Sequence, residues 1–266
     1  MMDMAADIKA RKHATLEFAR AGGDVLLRYF RKEMRIEMKG SGNLVSEADF
    51  ETEKLITELI RQQFPHDAII AEEKHAAHQD ADSLWIVDPL DGTNNFAHGI
   101  AHFAVSIAYY HQGQALYGVV FNPARDELFV AARGEGAFRN ETRLSVSSHQ
   151  TLAESLVGTG FYYDRGEMMR RTLRSIEALF THGIHGIRRF GAASLDLCGV
   201  AAGEYGGFFE YYLAPWDFAA GRLIVEEAGG KVTDCSGAPL GTKASSVLAT
   251  NSTLHQTLID LLGSVP

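Results

Sequence analysis

The stretch from Trp85 to Phe96 reads WIVDPLDGTNNF, and it limits what this chain can fold into more than any other. Residues 84–87 are an apolar run with the length and flanks of a buried strand. The run delivers Asp88 at its end. Pro89 and Gly92 then punctuate the backbone, so the spacing predicts that Asp88 and Asp91 project from a turn. Two carboxylates on a stiff turn can converge on a hard cation. Gly92 and Thr93 follow with open backbone N–H groups at the start of a short helix, a setting that favours a phosphate oxygen. Metal ligands beside an anion cradle point to metal-assisted phosphoryl chemistry. Asp-Pro and Asp-Gly are also ordinary turn dipeptides. A plain turn, however, does not require Asp, Asp and Thr to be held together behind a buried strand.

Around this stretch the hydrophobic rhythm changes along the chain. Leu16, Ala19, Gly23, Leu26 and Phe30 share one helical face, and Leu55, Ile56, Leu59 and Ile60 share another that Pro65 closes. Segments 103–110, 115–121 and 127–131 read as strands joined by tight turns. After about residue 145 strands and helices alternate. Strands are expected at 155–158, just before 192, at FFEYY, at 231–233 and at 246–249. Helices are expected at 167–180, 192–202, 217–228 and 254–262. Such alternation implies an α/β sheet. The expectation is an α+β half over residues 1–145, an α/β half over 146–266, and a site in the cleft between them.

Composition excludes several classes. The chain of 266 residues is long enough for one large core or two smaller ones. Two cysteines, Cys198 and Cys235, form no C-x-x-C pair, so neither a disulfide framework nor a zinc knuckle is indicated. A reducing, cytoplasmic setting is the expectation. The N-terminal MMDMAADIKARK has no apolar segment after its charges and does not read as a signal peptide. No apolar run has the length of a membrane span. A formal net charge of −9 argues against a broad basic face for nucleic acid. It is compatible with phosphate chemistry if the excess carboxylates bind Mg2+ and the metal presents the positive charge.

Three more acidic positions carry two readings each. Glu72 follows the apolar 68–71 and ends a strand; alone it would be a solvated loop residue. Asp49 lies three residues after Ser46, and Ser-x-x-Asp is also a capping-box pattern at a helix start. Asp217 follows Pro215 and Trp216, where an acid also suits the helix dipole. Ala219, Ala220 and Gly221 after it would let that helix pack closely.

Together these pieces resemble the inositol monophosphatase family. The matching motifs are LVSEAD at Leu44 to Asp49, IIAEE at Ile69 to Glu73, WIVDPLDGTNNF, RRFGAASLDLC at Arg188 to Cys198, and PWDFAAG at Pro215 to Gly221. They stand in the family's order and span most of the chain. The resemblance implies a layered αβαβα sandwich of the inositol monophosphatase/fructose-1,6-bisphosphatase type and a Mg2+-dependent phosphomonoesterase with two or three Mg2+ per site. It also implies a homodimer and inhibition by Li+. Residue by residue, Glu72 and Asp88, with the carbonyl of Leu90, match ligands of a first metal. Asp88, Asp91 and Asp217 match ligands of a second. Asp49 and Thr93 match the pair that polarises the attacking water, and Glu72 also counts among the catalytic residues. Asp91, Gly92, Thr93 and Asn94 match the substrate side of the phosphate loop. Ala193 and Glu210 match positions that touch the alcohol. Departures are small: Ser46, Ala71 and Asn94 stand where Thr, Gly and a second Thr are common.

On this resemblance the substrate is inositol 1-phosphate, a small phosphorylated polyol. Glu210 can accept hydrogen bonds from vicinal hydroxyls. The alternatives are related phosphatases for fructose 1,6-bisphosphate, histidinol phosphate, NADP or 3′-phosphoadenosine 5′-phosphate. An alternative of another class is a regulatory protein that acts on the transcription machinery through its surface.

Overall fold

A computed structural model describes residues 4–32, 36–38, 44–73, 81–163 and 165–265 of the chain. Helix α1 (Met4–Tyr29) is followed by strands β1 (Ile36–Met38) and β2 (Leu44–Ser46) and helix α2 (Glu47–Gln63). Strands β3 (Ala68–Ala71) and β4 (Ser83–Asp91) lead into the short helix α3 (Thr93–Ala97). Five strands follow: β5 (Ala104–His111), β6 (Gln114–Asn122), β7 (Glu127–Ala132), β8 (Gly136–Arg139) and β9 (Thr142–Arg143). The remainder alternates: β10 (Leu156–Thr159), α4 (Glu167–Thr181), β11 (Gly186–Arg188), α5 (Ala193–Ala201), β12 (Gly207–Leu213) and α6 (Pro215–Glu227). It ends with β13 (Lys231–Thr233), β14 (Ser245–Thr250) and α7 (His255–Gly263).

The strands form two large sheets. One has the order β3-β4-β5-β6-β7-β8-β9, parallel only between β3 and β4. The other has the order β11-β10-β12-β14-β13, with β10 parallel to both its neighbours. Strand alternation shows what covers each face. Trp85 and Val87 pack with Phe18 and Leu26 of α1 and Ile56 and Ile60 of α2. Leu84 and Ile86 point the other way, into a core with Leu197 of α5 and Leu223 and Ile224 of α6. Phe208 reaches that same core from β12, whereas Phe209 and Tyr211 face Leu179 of α4 and Leu258 of α7. The layers are therefore α1 and α2, the first sheet, α5 and α6, the second sheet, then α4 and α7. This is the αβαβα sandwich the resemblance implied. The apolar run 84–87 is continuous because both of its faces are buried.

A buried ion pair fastens α1 to the first sheet. Arg11 donates through Nε and Nη2 to the two oxygens of Asp67, at 2.8 and 2.9 Å. The indole Nε1 of Trp85 donates to the same carboxylate at 2.8 Å. The guanidinium lies 4.5 Å from the centroid of the Phe64 ring. Small residues do what the sequence implied in α6: Ala219 and Ala220 are buried in the central core. A Cβ at Gly221 would meet Leu197 of α5 at 2.7 Å, so the two inner helices touch there.

One expectation needs correction. Asp88 and Asp91 do not project from a turn after the strand; β4 continues through both. Asp88 pairs with Ser106 and Asp91 with Ala104, with a register shift between them. Three steps on β4 therefore oppose two on β5, which is a β-bulge. In a regular strand residues three apart point to opposite faces. The extra residue turns both carboxylates toward the same side. Among the described residues no helix is long and apolar enough to cross a membrane.

Candidate active site

The bulged end of β4, the end of β3, the start of α6 and the start of α5 converge on one cavity of about 690 Å3. Its wall includes Glu72, Asp88, Leu90, Asp91, Gly92, Thr93, Asn94, Ala193, Glu210 and Asp217. Every site residue expected from the sequence is in that wall except Asp49, which stands behind it and contacts Thr93. The volume lies in the range that encloses a small-molecule ligand.

Each carboxylate is held by its own local structure. Asp88 accepts the N–H of Leu90 at 3.0 Å, a bond within the bulge. Asp91 accepts the N–H of Ala193 at 3.2 Å, the N–H of Ser194 at 2.7 Å and the Ser194 hydroxyl at 2.5 Å. It thus sits at the N-terminus of α5, where a negative charge is favoured. Asp217 accepts the N–H of Ala214 at 2.7 Å and closes the first turn of α6, with Pro215 at the position a helix start tolerates. Glu72 is half-buried at the end of β3, and the next residue is anchored by α2: Glu73 N–H donates to Glu53 at 2.6 Å. Asp49 caps α2 and also faces Thr93. One oxygen accepts the Ser46 N–H at 2.8 Å and hydroxyl at 2.5 Å, as a helix cap. The other lies 3.3 Å from the hydroxyl of Thr93.

Gly92 makes the step from β4 into α3. Its φ is +88°, and a Cβ there would lie 3.0 Å from the carbonyl oxygen of His102. A side chain would be strained in that backbone region and would collide. Asn95, buried one turn later, donates to the carbonyl oxygens of His102 and Phe190, both at 2.8 Å. It ties α3 to the segment that precedes α5.

The electrostatics are dominated by negative charge. Burial pushes Asp88 well above the usual carboxylate range, and Glu72, Asp91 and Asp217 add to the shift. Burial and then Asp91 do the same to Asp217. Asp91 is raised by burial and partly restored by its bonds to Ser194 and Ala193. Burial, with Asp196 and Asp91, pushes Glu210 up to about 8. Among the described residues no lysine, arginine or histidine forms an ion pair with Asp88, Asp91 or Asp217. No three or more His, Cys, Asp or Glu side chains among them are drawn tightly enough together to hold an ion as they stand. Arg189 also lines the cavity and offsets the shifts of Asp196 and Glu210; the all-oxygen, anionic donor set fits a hard divalent ion rather than a soft one.

Residues that sequence reasoning passed over also shape the cavity. Ser194 orients Asp91, and Glu53 anchors the segment beyond Glu72. Asp196 is 1% exposed and its Oδ1 has no hydrogen-bond partner among the described residues. A carboxylate flanked by Leu195 and Leu197 in an apolar helix is an anomaly that the sequence does display. The rings of Tyr162, Tyr163 and Tyr212 complete the wall. The position of Glu210 depends on Gly160, where a Cβ would sit 1.8 Å from the glutamate Oε2.

A model described as the inositol monophosphatase family matches residues 9–266. The inositol-1-monophosphatase of Rhizobium meliloti is 42% identical over 234 residues, 87% of each chain. The putative Nus factor SuhB of Neisseria meningitidis is 37% identical over 257 residues, 96% of each chain. Among solved structures, the IMPase of Thermotoga maritima superposes with a TM-score of 0.88 at 35% identity, covering 96% of this chain and 98% of its own. An IMPase/NADP phosphatase complexed with Mg2+ and phosphate superposes with a TM-score of 0.86 at 25% identity, covering 97% of both chains.

Proposed function

Because the chain belongs to the inositol monophosphatase family, we propose that it is a Mg2+-dependent phosphomonoesterase that hydrolyses inositol 1-phosphate to inositol and inorganic phosphate. One observation carries this reading. Glu72, Asp88, Asp91 and Asp217 line a single cavity, beside a Thr93 hydroxyl within reach of Asp49. Glu72 and Asp88, with the Leu90 carbonyl, would hold one Mg2+, and Asp88, Asp91 and Asp217 a second. Bound there, the ions supply Lewis acidity, which lowers the pKa of water and shields the phosphoryl and leaving oxygens.

The rest is done by the chain itself. Gly92, Thr93 and Asn94 present donors to the phosphate at the start of α3. Asp49 takes the Thr93 hydroxyl proton into a hydrogen bond, which leaves the oxygen of Thr93 free to accept from the attacking water and aim it in line. No protein nucleophile is required. Ala193, whose N–H donates to Asp91, and Glu210 line the same cavity, where the alcohol would rest. The same reading includes inhibition by Li+ at the position shared by Asp88, Asp91 and Asp217, a homodimer, and a cytoplasmic location.

The cited relatives named as inositol-1-monophosphatase and as putative Nus factor SuhB are 42% and 37% identical to this chain. The complete set of acidic side chains in the cavity favours catalysis over a purely regulatory role. Phosphate release with and without Mg2+, over a panel of polyol, sugar and nucleotide monoesters, tests the proposal. Inositol 1-phosphate is expected to turn over, and exhaustive chelation to abolish that turnover. Glu210→Ala is expected to lower kcat/KM for it by about one to two orders of magnitude, and less for β-glycerophosphate, which has fewer hydroxyls to place. Equal losses on both esters would make Glu210 structural. A tenfold preference for fructose 1,6-bisphosphate would displace inositol as the substrate.

A further inference from the structure

One wall of the cavity is the segment that leaves β10. Gly160, Phe161, Tyr162 and Tyr163 line it one after another. The segment begins beside Glu210, where a Cβ on Gly160 would lie 1.8 Å from the carboxylate. Arg189, the cationic side chain in the cavity wall, belongs to that same end, since it offsets the shifts of Asp196 and Glu210. The two tyrosines then diverge. Their rings meet edge to face with centroids 5.8 Å apart. Tyr162 packs on Tyr212, with centroids 4.5 Å apart. Tyr163 instead reaches the carboxylate end, close enough to Glu72, Asp217, Asp91 and Asp88 for each of them to act on its phenol.

Tyr163 is half-buried, and no hydrogen bond among the described residues engages its hydroxyl. Burial first, and then the four carboxylates, push the phenol well above its ordinary range, so it stays protonated and able to donate. We propose that Tyr163 is a further substrate-binding residue, whose hydroxyl donates a hydrogen bond to a phosphoryl oxygen from the side of the second sheet. The start of α3 offers its donors from the side of the first sheet, so the two together would hold the phosphoryl group between the sheets. A charged acceptor makes such a bond stronger than one between neutral groups. A phenol also supplies a donor without a positive charge. A lysine or arginine at this place would pair with the carboxylates and contest them with a divalent ion, whereas Arg189 stands at the other end. The contact is made to the group that all phosphomonoesters share, so it holds phosphate and does not select the alcohol.

This inference rests on the phosphomonoesterase reading, and its test separates the two. Tyr163→Phe keeps the ring against Tyr162 and removes only the hydroxyl. Wild type and variant are assayed with Mg2+ on inositol 1-phosphate, β-glycerophosphate and p-nitrophenyl phosphate, and titrated calorimetrically with inorganic phosphate. A lost hydrogen bond to a charged group corresponds to about 10- to 150-fold. The variant is expected to raise KM by at least about tenfold on all three esters, with kcat changed by at most about threefold, because the bond is made before and during the reaction. The Kd for inorganic phosphate is expected to rise by a similar factor, and the Mg2+-dependent rise in Tm to stay at the wild-type value. A fall in kcat on the two alkyl esters but not on p-nitrophenyl phosphate, whose alcohol leaves without help, would move the hydroxyl to the leaving oxygen and overturn the proposal. A smaller Tm rise with Mg2+ would move it to the metal site, and unchanged KM and phosphate Kd would leave it as wall alone; either result overturns the proposal. If wild type hydrolyses no ester, the phosphomonoesterase reading fails, and the Tyr163 contact stands only if phosphate binds wild type and binds the variant at least about tenfold more weakly.

Discussion

Thr93 has one hydroxyl proton and two acceptors within reach. The Leu90 carbonyl oxygen is at 3.0 Å and Asp49 Oδ1 at 3.3 Å. A carbonyl committed to another partner leaves Asp49 as the acceptor, and Thr93 then keeps a lone pair for water. Thr93→Ala is expected to lower kcat by about 10²- to 10⁴-fold with little change in KM, the range for loss of a positioned proton-transfer group. Asp49→Asn is expected to behave alike, and the double variant to cost far less than the product of the two, because the pair acts as one unit. Strictly multiplicative losses would reject the pairing and leave Asp49 as a cap for α2. Circular dichroism of Asp49→Asn separates the two roles, since a lost cap alone costs only about 1 kcal/mol of stability and no chemistry.

At the scale of elements, the site depends on one strand irregularity that local sequence did not disclose. Asp88, Asp91, Gly92 and Thr93 were legible as a chemical unit from their types and spacing. The bulge that aims both aspartates to one side is set by pairing with β5, a partner distant in the chain, so no local pattern announces it. Strands β8 and β9 went unread for a related reason. They are short, and β9 is exposed at both residues, so burial leaves no period-2 pattern. Ser194 was hidden because a serine near a helix start reads as an ordinary cap residue until Asp91 arrives from another sheet. What holds β3 and β4 in place for the site is itself testable. Asp67 lies just before β3 and receives Arg11 from α1 and Trp85 from β4. Both members of the ion pair are almost wholly buried, at 8% and 4% side-chain exposure. Asp67→Ala takes two charge-assisted hydrogen bonds from the buried Arg11 and one from Trp85, so it is expected to cost about 3–5 kcal/mol in denaturant unfolding. The double variant Arg11→Met with Asp67→Ala should recover part of that loss. A loss below about 1 kcal/mol in the single variant would show that the pair contributes no more than a surface salt bridge.

For the molecule as a whole, the cavity sets function against stability. Asp88 and Asp91 are buried and Asp217 is half-buried, none of them in an ion pair with a cationic side chain among the described residues; Asp91 and Asp217 raise the pKa of Asp88, and Asp91 raises that of Asp217. A folded state that raises a carboxyl pKa is destabilised by the ionised form at neutral pH, because the unfolded chain carries that charge at less cost. Binding a divalent ion reverses the sign. An ion bound only by the folded chain and present at a hundredfold its Kd adds about 2.7 kcal/mol, which is a rise of about 5–10 °C in Tm for a chain near this size. Asp217→Asn divides the two effects. The amide oxygen can still accept the Ala214 N–H that closes α6, while one repelling charge is gone. Without metal the variant is expected to be more stable than wild type, by about 1 kcal/mol on the scale of removing functional strain. Its Mg2+-dependent rise in Tm should shrink at the same time, and phosphatase turnover should fall by at least about 100-fold. Thermal unfolding in chelator and along a Mg2+ series measures both quantities on one sample. A variant that is less stable than wild type in chelator, yet gains as much from Mg2+, would place Asp217 in the helix start and outside the metal site.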